Sequence, residues 1–453
     1  MKLSASLFTF SLLSLIVLFS CSKDSSGPDN TVTVSGKVTL EGQSDHSGVT
    51  VSLYALVTLN PEIVAINQQY PAIGVKISQE TEFDHRAGTA VYSTITNASG
   101  DWNIEKVEQG TYHVVAEKDG FGWRYALNLT AGNMGTLLLK GVKTFSGMLA
   151  NQAFAFNNDF IRIDGNTIFD QNTQVSFTGV NYLVFSGNNL ALILRGGVNY
   201  QADSRLFAFT ANNNSNCKLN FENISNLQIQ NFTALNKLAV TITNSSFNIN
   251  NSVFYNPDNI AIRTSHGSGT IRNSIFRNSL VGVAMDQVNN TTVERNIYHR
   301  NQSDIEADIV DSLMIQLNSF SNAVVNLDLV STSCEIKNNE FSNSTEGILI
   351  SGLSNIKATL NDFKDYFKNV RLIAISHQPN SIALTMNHNN FINTSDFILQ
   401  VATGSVSQSV DATLNYWGTT IILEIEAKIA DVSNVVQFEP YLFNADPQAG
   451  INP

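Results

Sequence analysis

Nine aromatic residues recur through the second half of the chain at nearly constant spacing. Phe232, Phe254, Phe276, Tyr298, Phe320, Phe341, Phe363, Phe391 and Trp417 follow one another at intervals of 22, 22, 22, 22, 21, 22, 28 and 26 residues. A fixed period of this size means that one structural unit is stacked on the next, as in a solenoid. Between the aromatics the apolar residues alternate with period two, as in Val281, Val283 and Met285 or Val325, Leu327 and Leu329. Each turn is therefore built of strands, and no stretch of helical period fits between them, which excludes leucine-rich repeats. Three strands and three corners in such a unit describe a right-handed parallel β-helix, since left-handed hexapeptide helices would repeat nearer about 18 residues.

Stacking turns about 4.8 Å apart would pile equivalent aromatics into an internal column. Asn at equivalent corners would bond its amide to the copies above and below and accept the left-handed backbone that a sharp corner needs. The chain contains 55 Asn, 48 of them after residue 150, and this reading gives them a structural role. The phrases Asn318-Ser-Phe320-Ser-Asn322 and Asn339-Glu-Phe341-Ser-Asn343 carry the pattern. The region 141–453 resembles the parallel β-helix repeat family, and Asn415-Tyr416-Trp417-Gly418 is similar to the closing motif of many of its members. Residues 141–210 are more weakly periodic and are read as the first turns with their cap. The run Ile421 to Ile429 reads as a short helix that caps the far end with Val435, Val436, Phe438 and Tyr441.

The chain before this region has a different rhythm. Val34, Val38, Val49, Val51, Trp102, Ile104, Tyr112 and Val114 lie in short alternating runs separated by turn residues. These predict antiparallel strands in a small β-sandwich over residues 31–140, interrupted by an irregular stretch from about Asn60 to Ala87. Val34-Ser-Gly36-Lys-Val38, Thr96-Asn-Ala-Ser-Gly100-Asp-Trp102-Asn-Ile104 and Gly110-Thr-Tyr112 resemble the carboxypeptidase regulatory-like domain. That resemblance implies a transthyretin-like sandwich, a spacer or carbohydrate-binding-like module common in surface proteins of Bacteroidetes, with no catalytic residues. Trp102 and Tyr112 fall on the apolar parity and are read as core; Trp123 is not assigned to it. The fold class is thus all-β, a small sandwich followed by the solenoid.

Residues 1–20 carry Lys2 and an apolar run from Leu7 to Leu18, the layout of an export signal. Leu18-Phe19-Ser20-Cys21 resembles the lipobox of bacterial lipoproteins. The resemblance implies acylation of Cys21 and anchoring in the cell envelope, at the outer membrane in a Bacteroidetes-type cell. Residues 21–30 are polar and serve as a flexible tether. After residue 20 no apolar run approaches the roughly 20 residues of a spanning helix. With 26 Lys+Arg against 38 Asp+Glu and no basic cluster, the chain is not built to neutralise phosphates, which excludes a nucleic-acid partner. Cys217 and Cys334 lie about five solenoid turns apart, roughly 25 Å at inter-strand spacing. They are expected to be free and buried.

No motif of a zinc hydrolase, P-loop, dinucleotide site or Ser/His/Asp triad is visible. His266, His299, His377 and His388 have no metal-ligand spacing and are read as loop histidines. Candidate chemistry therefore depends on register. Counted from each ladder aromatic, positions +5, +7 and +9 are expected inward and +6, +8 and +10 outward. Asp286, Glu306, Asp308 and Asp328 then share one outer face, Asp286 beside Asp308 and Glu306 beside Asp328, with Arg371 two turns beyond Asp328 in the same column. Stacked like charges destabilise a sheet unless a cation such as calcium, a raised carboxyl pKa or solvent screening relieves them. The two lengthened turns, ending at Phe391 and Trp417, would supply a wall that includes His377-Gln378-Pro379-Asn380 and borders a groove for polysaccharide.

Three functions fit these features. One is a membrane-anchored protein that binds or scaffolds polysaccharide without catalysis, another a polysaccharide lyase or glycoside hydrolase working on the outer groove, the third an adhesin-like structural protein. A lyase wants a Lys or Arg base, and no Lys occupies the outward positions near the patch. A glycosidase wants exposed aromatics, and of three Trp two are assigned to cores. Both absences favour binding. Cys21→Ser should leave an unlipidated precursor, and fatty-acid labelling that persists in this variant would exclude Cys21 as the acylated residue.

Overall fold

The computed structural model describes residues 30–451 apart from 202, 212–215, 257–258, 366–367, 374–380 and 394–396. Cys21, the signal region, the tether to residue 29 and the loop His377–Asn380 lie outside the described residues.

The sandwich consists of two sheets. One has the order β4 (Asp101–Glu108), β1 (Thr31–Leu40), β7 (Asn133–Leu139); the other has β3 (Tyr92–Ile95), β2 (Thr50–Tyr54), β5 (Thr111–Lys118), β6 (Gly122–Thr130). Val34, Val38, Val51, Leu53, Trp102, Tyr112 and Val114 fill the space between them, so both expected core aromatics are in place. A Cβ at Gly36 would stand 2.7 Å from the Trp102 ring, which is why glycine faces the indole. The pairing is not antiparallel throughout. β7 leaves β6 through a turn at Gly132, crosses to the other sheet and runs parallel to β1.

From Lys143 onward the chain winds as a right-handed parallel β-helix of about 12 turns. Each turn supplies a short strand, a middle strand and a third strand, for example Ile275–Arg277, Val281–Asp286 and Asn289–Glu294. The strands end where the backbone turns left-handed: Asn273, Asn278 and Gln287 have φ of 48°, 50° and 52° in that one turn. Asn tolerates this conformation better than most residues, which accounts for much of its abundance.

Two internal columns run through the later turns of the solenoid. From Phe254 to Phe391 the ladder aromatics are stacked with centroids 4.6 to 5.1 Å apart, and Trp417 closes the stack 5.5 Å beyond Phe391. Two residues before each aromatic, Asn296, Asn318, Asn339, Asn361, Asn389 and Asn415 form a fully buried amide ladder. Each amide donates to the carbonyl oxygen of the next, 3.0 Å away, and that same oxygen accepts the donor's backbone N–H. Phe232 is a correction to the expected ladder. It is buried, but Ala234 holds the position opposite Phe254, and the Phe232 ring is tilted by 48°. The corner that follows is two residues shorter, built from Asn236 and Lys237, both left-handed.

Residues 143–210 do form the first turns, in parallel register. At the far end a short helix (Ile422–Ala427) caps the core together with Val435, Val436, Phe438 and Tyr441. Cys217 and Cys334 are free and buried. Among the described residues no helix is long and apolar enough to cross a membrane.

The stretch from Asn60 to Ala87 is structured. Asn60 caps α1 (Pro61–Gln69), its side-chain oxygen accepting from the N–H groups of Glu62 and Ile63 at 3.0 and 3.1 Å, with Pro61 in the first turn. Ile63, Ile73 and Ile77 bury Val253, Ile275 and Ile297, the outward residues directly before three ladder aromatics. Glu82 meets Arg277 at 2.6 Å and Glu62 meets Arg300 at 2.5 Å. The insertion thus clamps the sandwich to the solenoid. Trp123 belongs to the same joint, its ring 4.5 Å from Phe160 and 5.7 Å from Phe209.

Phe320 is fully buried between Tyr298 and Phe341. Phe320→Ala should cost about 3 to 5 kcal/mol, because the turns around the cavity cannot collapse without breaking their pairing. Denaturant unfolding that shows a loss under about 1 kcal/mol would contradict the ladder as the main packing element.

Candidate functional site

The middle sheet carries the candidate residues, and its shape follows from a kink in each strand. Val281 pairs with Ser303 and Val283 with Ile305, leaving the residues between them unpaired. At this kink two successive side chains point inward: Asp304 and Ile305 are both fully buried, as are Asn326 and Leu327. Position +6 is therefore interior, against expectation, and position +5 is freed toward the outer side. Glu346, at +5, reaches Arg371 on the outer face.

Beyond the kink the expected alternation holds. Asp286 pairs with Asp308, and Glu306 with Asp328. Asp328 is followed by Leu349 and then by Arg371 in the same column. The register thus brings all four carboxylates onto one face. Arg371 is not free to serve them: its guanidinium donates to Glu346 Oε2 from two nitrogens, at 2.7 and 3.0 Å. Sequence reasoning missed Glu346 because a strict period of two assigns +5 to the interior. The signal that could have found it is the charge itself, which is costly at an interior position.

Asp328 is half-buried, and its carboxyl is held above the usual carboxylate range. Burial is the main cause; Glu306, Glu346 and Asp308 add to it and Arg371 opposes it. Among the described residues the Asp328 carboxyl has no hydrogen-bond partner, so its oxygens are available to a ligand. Asp308 is exposed, and Asp286 and Glu306 are partly so. The carboxylates form two short columns, Asp286 with Asp308 and Glu306 with Asp328, offset by two residues along the strand. Among the described residues no group of three or more His, Cys, Asp or Glu converges in a way that could hold a metal ion.

One lengthened turn, the one that ends at Trp417, leaves the corner at the end of a middle strand. It follows Phe397–Val401, where the Ser405 N–H bonds to the Ala402 carbonyl at 3.1 Å. Two histidines are corner residues: His266, with φ of 52°, and His388, which meets Asp446 at 2.8 Å. His299 is not in a loop. It is a fully buried strand residue bonded to Ser321 at 3.0 Å, with Glu62 of the insertion 3.3 Å from its other nitrogen. Burial pushes its pKa down to about 4 against the pull of Glu62.

With this geometry in view, the comparison with known families is specific to the solenoid. Residues 238–414 match the family model described as the right handed beta helix region. No curated protein and no solved structure matches the chain. The matched segment contains every carboxylate of the patch and Arg371 as well.

Asp304 has a role of its own. It accepts from Asn301 at 2.8 Å and Asn326 at 2.7 Å, and complete burial pushes its pKa up to about 8. The folded state therefore holds a proton that the unfolded chain releases near pH 4. This contribution to stability is full below about pH 4 and is lost as pH rises toward about 8, on the order of a few kcal/mol. Asp304→Asn should flatten that fall; chemical denaturation between pH 4 and pH 8 showing the same slope in both proteins would remove Asp304 as its source.

Proposed function

We propose that this is a cell-envelope protein, anchored through acylated Cys21, whose β-helix binds polysaccharide on the outer face of the middle sheet without cleaving it. The observation that carries the reading is the group of carboxylates on three adjacent turns, Asp286 beside Asp308 and Glu306 beside Asp328, with Arg371 held by Glu346. A carboxylate accepts hydrogen bonds from neighbouring hydroxyl groups of a sugar, and a row of them at strand spacing offers one acceptor set per turn. The extended face suits an extended chain. The sandwich and its clamp serve as a rigid mount between the anchor and this face, with Trp102 and Tyr112 occupied in its core.

Calcium is a secondary element of this reading: a cation shared between the strip and an acidic glycan would relieve the stacked charge. A second reading, hydrolysis, draws on Asp328 alone. A carboxyl that keeps its proton above the usual range beside a second carboxyl group, that of Glu306, has the make-up of an acid and base pair.

Asp308→Asn combined with Asp328→Asn should weaken glycan binding by roughly tenfold or more while leaving the fold intact, since two charged acceptors are lost from an outer face. A glycan array followed by calorimetry reads this directly. Equal binding by the double variant would make the strip plain solvated surface. Release of reducing ends or unsaturated products by the wild type, abolished in Asp328→Asn, would replace the binding reading with the hydrolytic or lyase one.

A further inference from the structure

The outer surface holds a second feature, at the corner between the middle and third sheets. Asn244 and Ser246 of one turn, His266 of the next, and Gln287, Asn289 and Asn290 of the third line a depression of about 520 Å³. Its shape has a cause in the sequence. A Cβ at Gly267 would stand 2.3 Å from the Ser245 carbonyl oxygen, and one at Gly269 would stand 2.1 Å from that of Phe247. Only glycine permits so close an approach, so the middle of the three corners is drawn in against the turn before it while its neighbours carry full side chains.

The lining contains no Asp, Glu, Lys or Arg, in contrast to the acidic strip beside it. Among the described residues the side chains of His266, Gln287, Asn289 and Asn290 have no hydrogen-bond partner, and all four are exposed. The depression opens onto the strip: Gln287 follows Asp286 in the chain, and the His266 N–H donates to the Asp286 carbonyl at 3.2 Å. An amide offers a donor and an acceptor side by side, the pairing that a vicinal diol satisfies, and a lining free of Asp, Glu, Lys and Arg imposes no fixed charge on its ligand.

We propose that this depression is a binding subsite for neutral, hydroxyl-rich sugar units, and that a glycan lying along the carboxylate strip passes into it across Asp286. The proposal rests on the polysaccharide-binding reading and adds the chemistry of the units recognised at the corner. It selects neutral residues there, whereas the strip takes hydroxyls on neutral units or, with a shared cation, acidic ones.

The test uses the full chain and calorimetry with four neutral hexasaccharides: cellohexaose, laminarihexaose, mannohexaose and xylohexaose. The paired substitution Gln287→Gly and Asn289→Ala removes two amides, and glycine accepts the left-handed backbone at 287. At least one hexasaccharide should bind the wild type at millimolar concentration or better, and the paired variant should lose roughly tenfold in affinity with an unchanged thermal midpoint. Binding that survives in the amide variant but is lost in Asp308→Asn with Asp328→Asn overturns the subsite and leaves the strip standing. The reverse pattern supports the subsite and removes the strip. If no neutral hexasaccharide binds at millimolar concentration, the subsite is overturned, and uronic-acid oligosaccharides then decide the strip alone.

Discussion

The buried amide ladder is the contact on which the later turns of the solenoid, and the face they carry, depend. Each Asn from Asn296 to Asn389 accepts from the turn before and donates to the turn after, so its polar atoms are satisfied only if both neighbouring turns are in register. A satisfied buried bond contributes about 1 kcal/mol, but an orphaned one costs about 1 to 3 kcal/mol, and removing one Asn orphans groups on two turns. The aromatic stack alone would tolerate a slip by half a ring. The amides would not, and they hold the aromatics at 4.6 to 5.1 Å. Extra residues can therefore enter only at corners, which is where the lengthened turn that ends at Trp417 departs.

Register fixed in this way determines the surface. Once +8 and +10 face out in the turns that start at Phe276, Tyr298 and Phe320, acids at those positions in neighbouring turns must stand one strand spacing apart. Two like charges at about 5 Å repel by roughly 1 kcal/mol in water and about 3 kcal/mol at a protein surface. The raised pKa of Asp328 is the local record of partial burial combined with that repulsion. Arg371 relieves it only in part, because its guanidinium is held by Glu346. The stability of the stacked core is what allows the face to keep a charge pattern that would loosen a single hairpin.

Much of this was legible in the residues. The period gave the solenoid, the parity gave the pairing of Asp286 with Asp308 and of Glu306 with Asp328, and the turn residues gave the sandwich. What escaped has one physical root: simple periodicity assumes an unbroken strand. The kink at +6 takes Asp304 and Asn326 inside and releases Glu346 outside, and no rule of period two contains a kink. The short corner at Asn236 and Lys237 shifted Phe232 out of the ladder for a related reason, since aromatic spacing was preserved while strand register was not. The parallel course of β7 depended on a crossover that local sequence does not encode.

The insertion is the most instructive omission, because its signal lay elsewhere in the chain. Residues Asn60 to Ala87 look irregular by themselves, yet the outward positions before three ladder aromatics are Val253, Ile275 and Ile297, apolar where a solvated face would be polar. Further along, the same column turns polar with Ser319, Glu340, Asp362 and Asn390. There Tyr70 donates to Glu340 at 2.5 Å, and the C-terminal segment runs back to bond Asn390 through Asp446 and Leu360 through Gly450. Ile451 joins the cluster around Ile63 and Ile297. The insertion and the C-terminal segment thus cover the short-strand sheet between them. A ligand as long as several turns then has the middle sheet, the third sheet and the corner between them as open ground, and the carboxylate strip and the amide-lined depression adjoin at that corner.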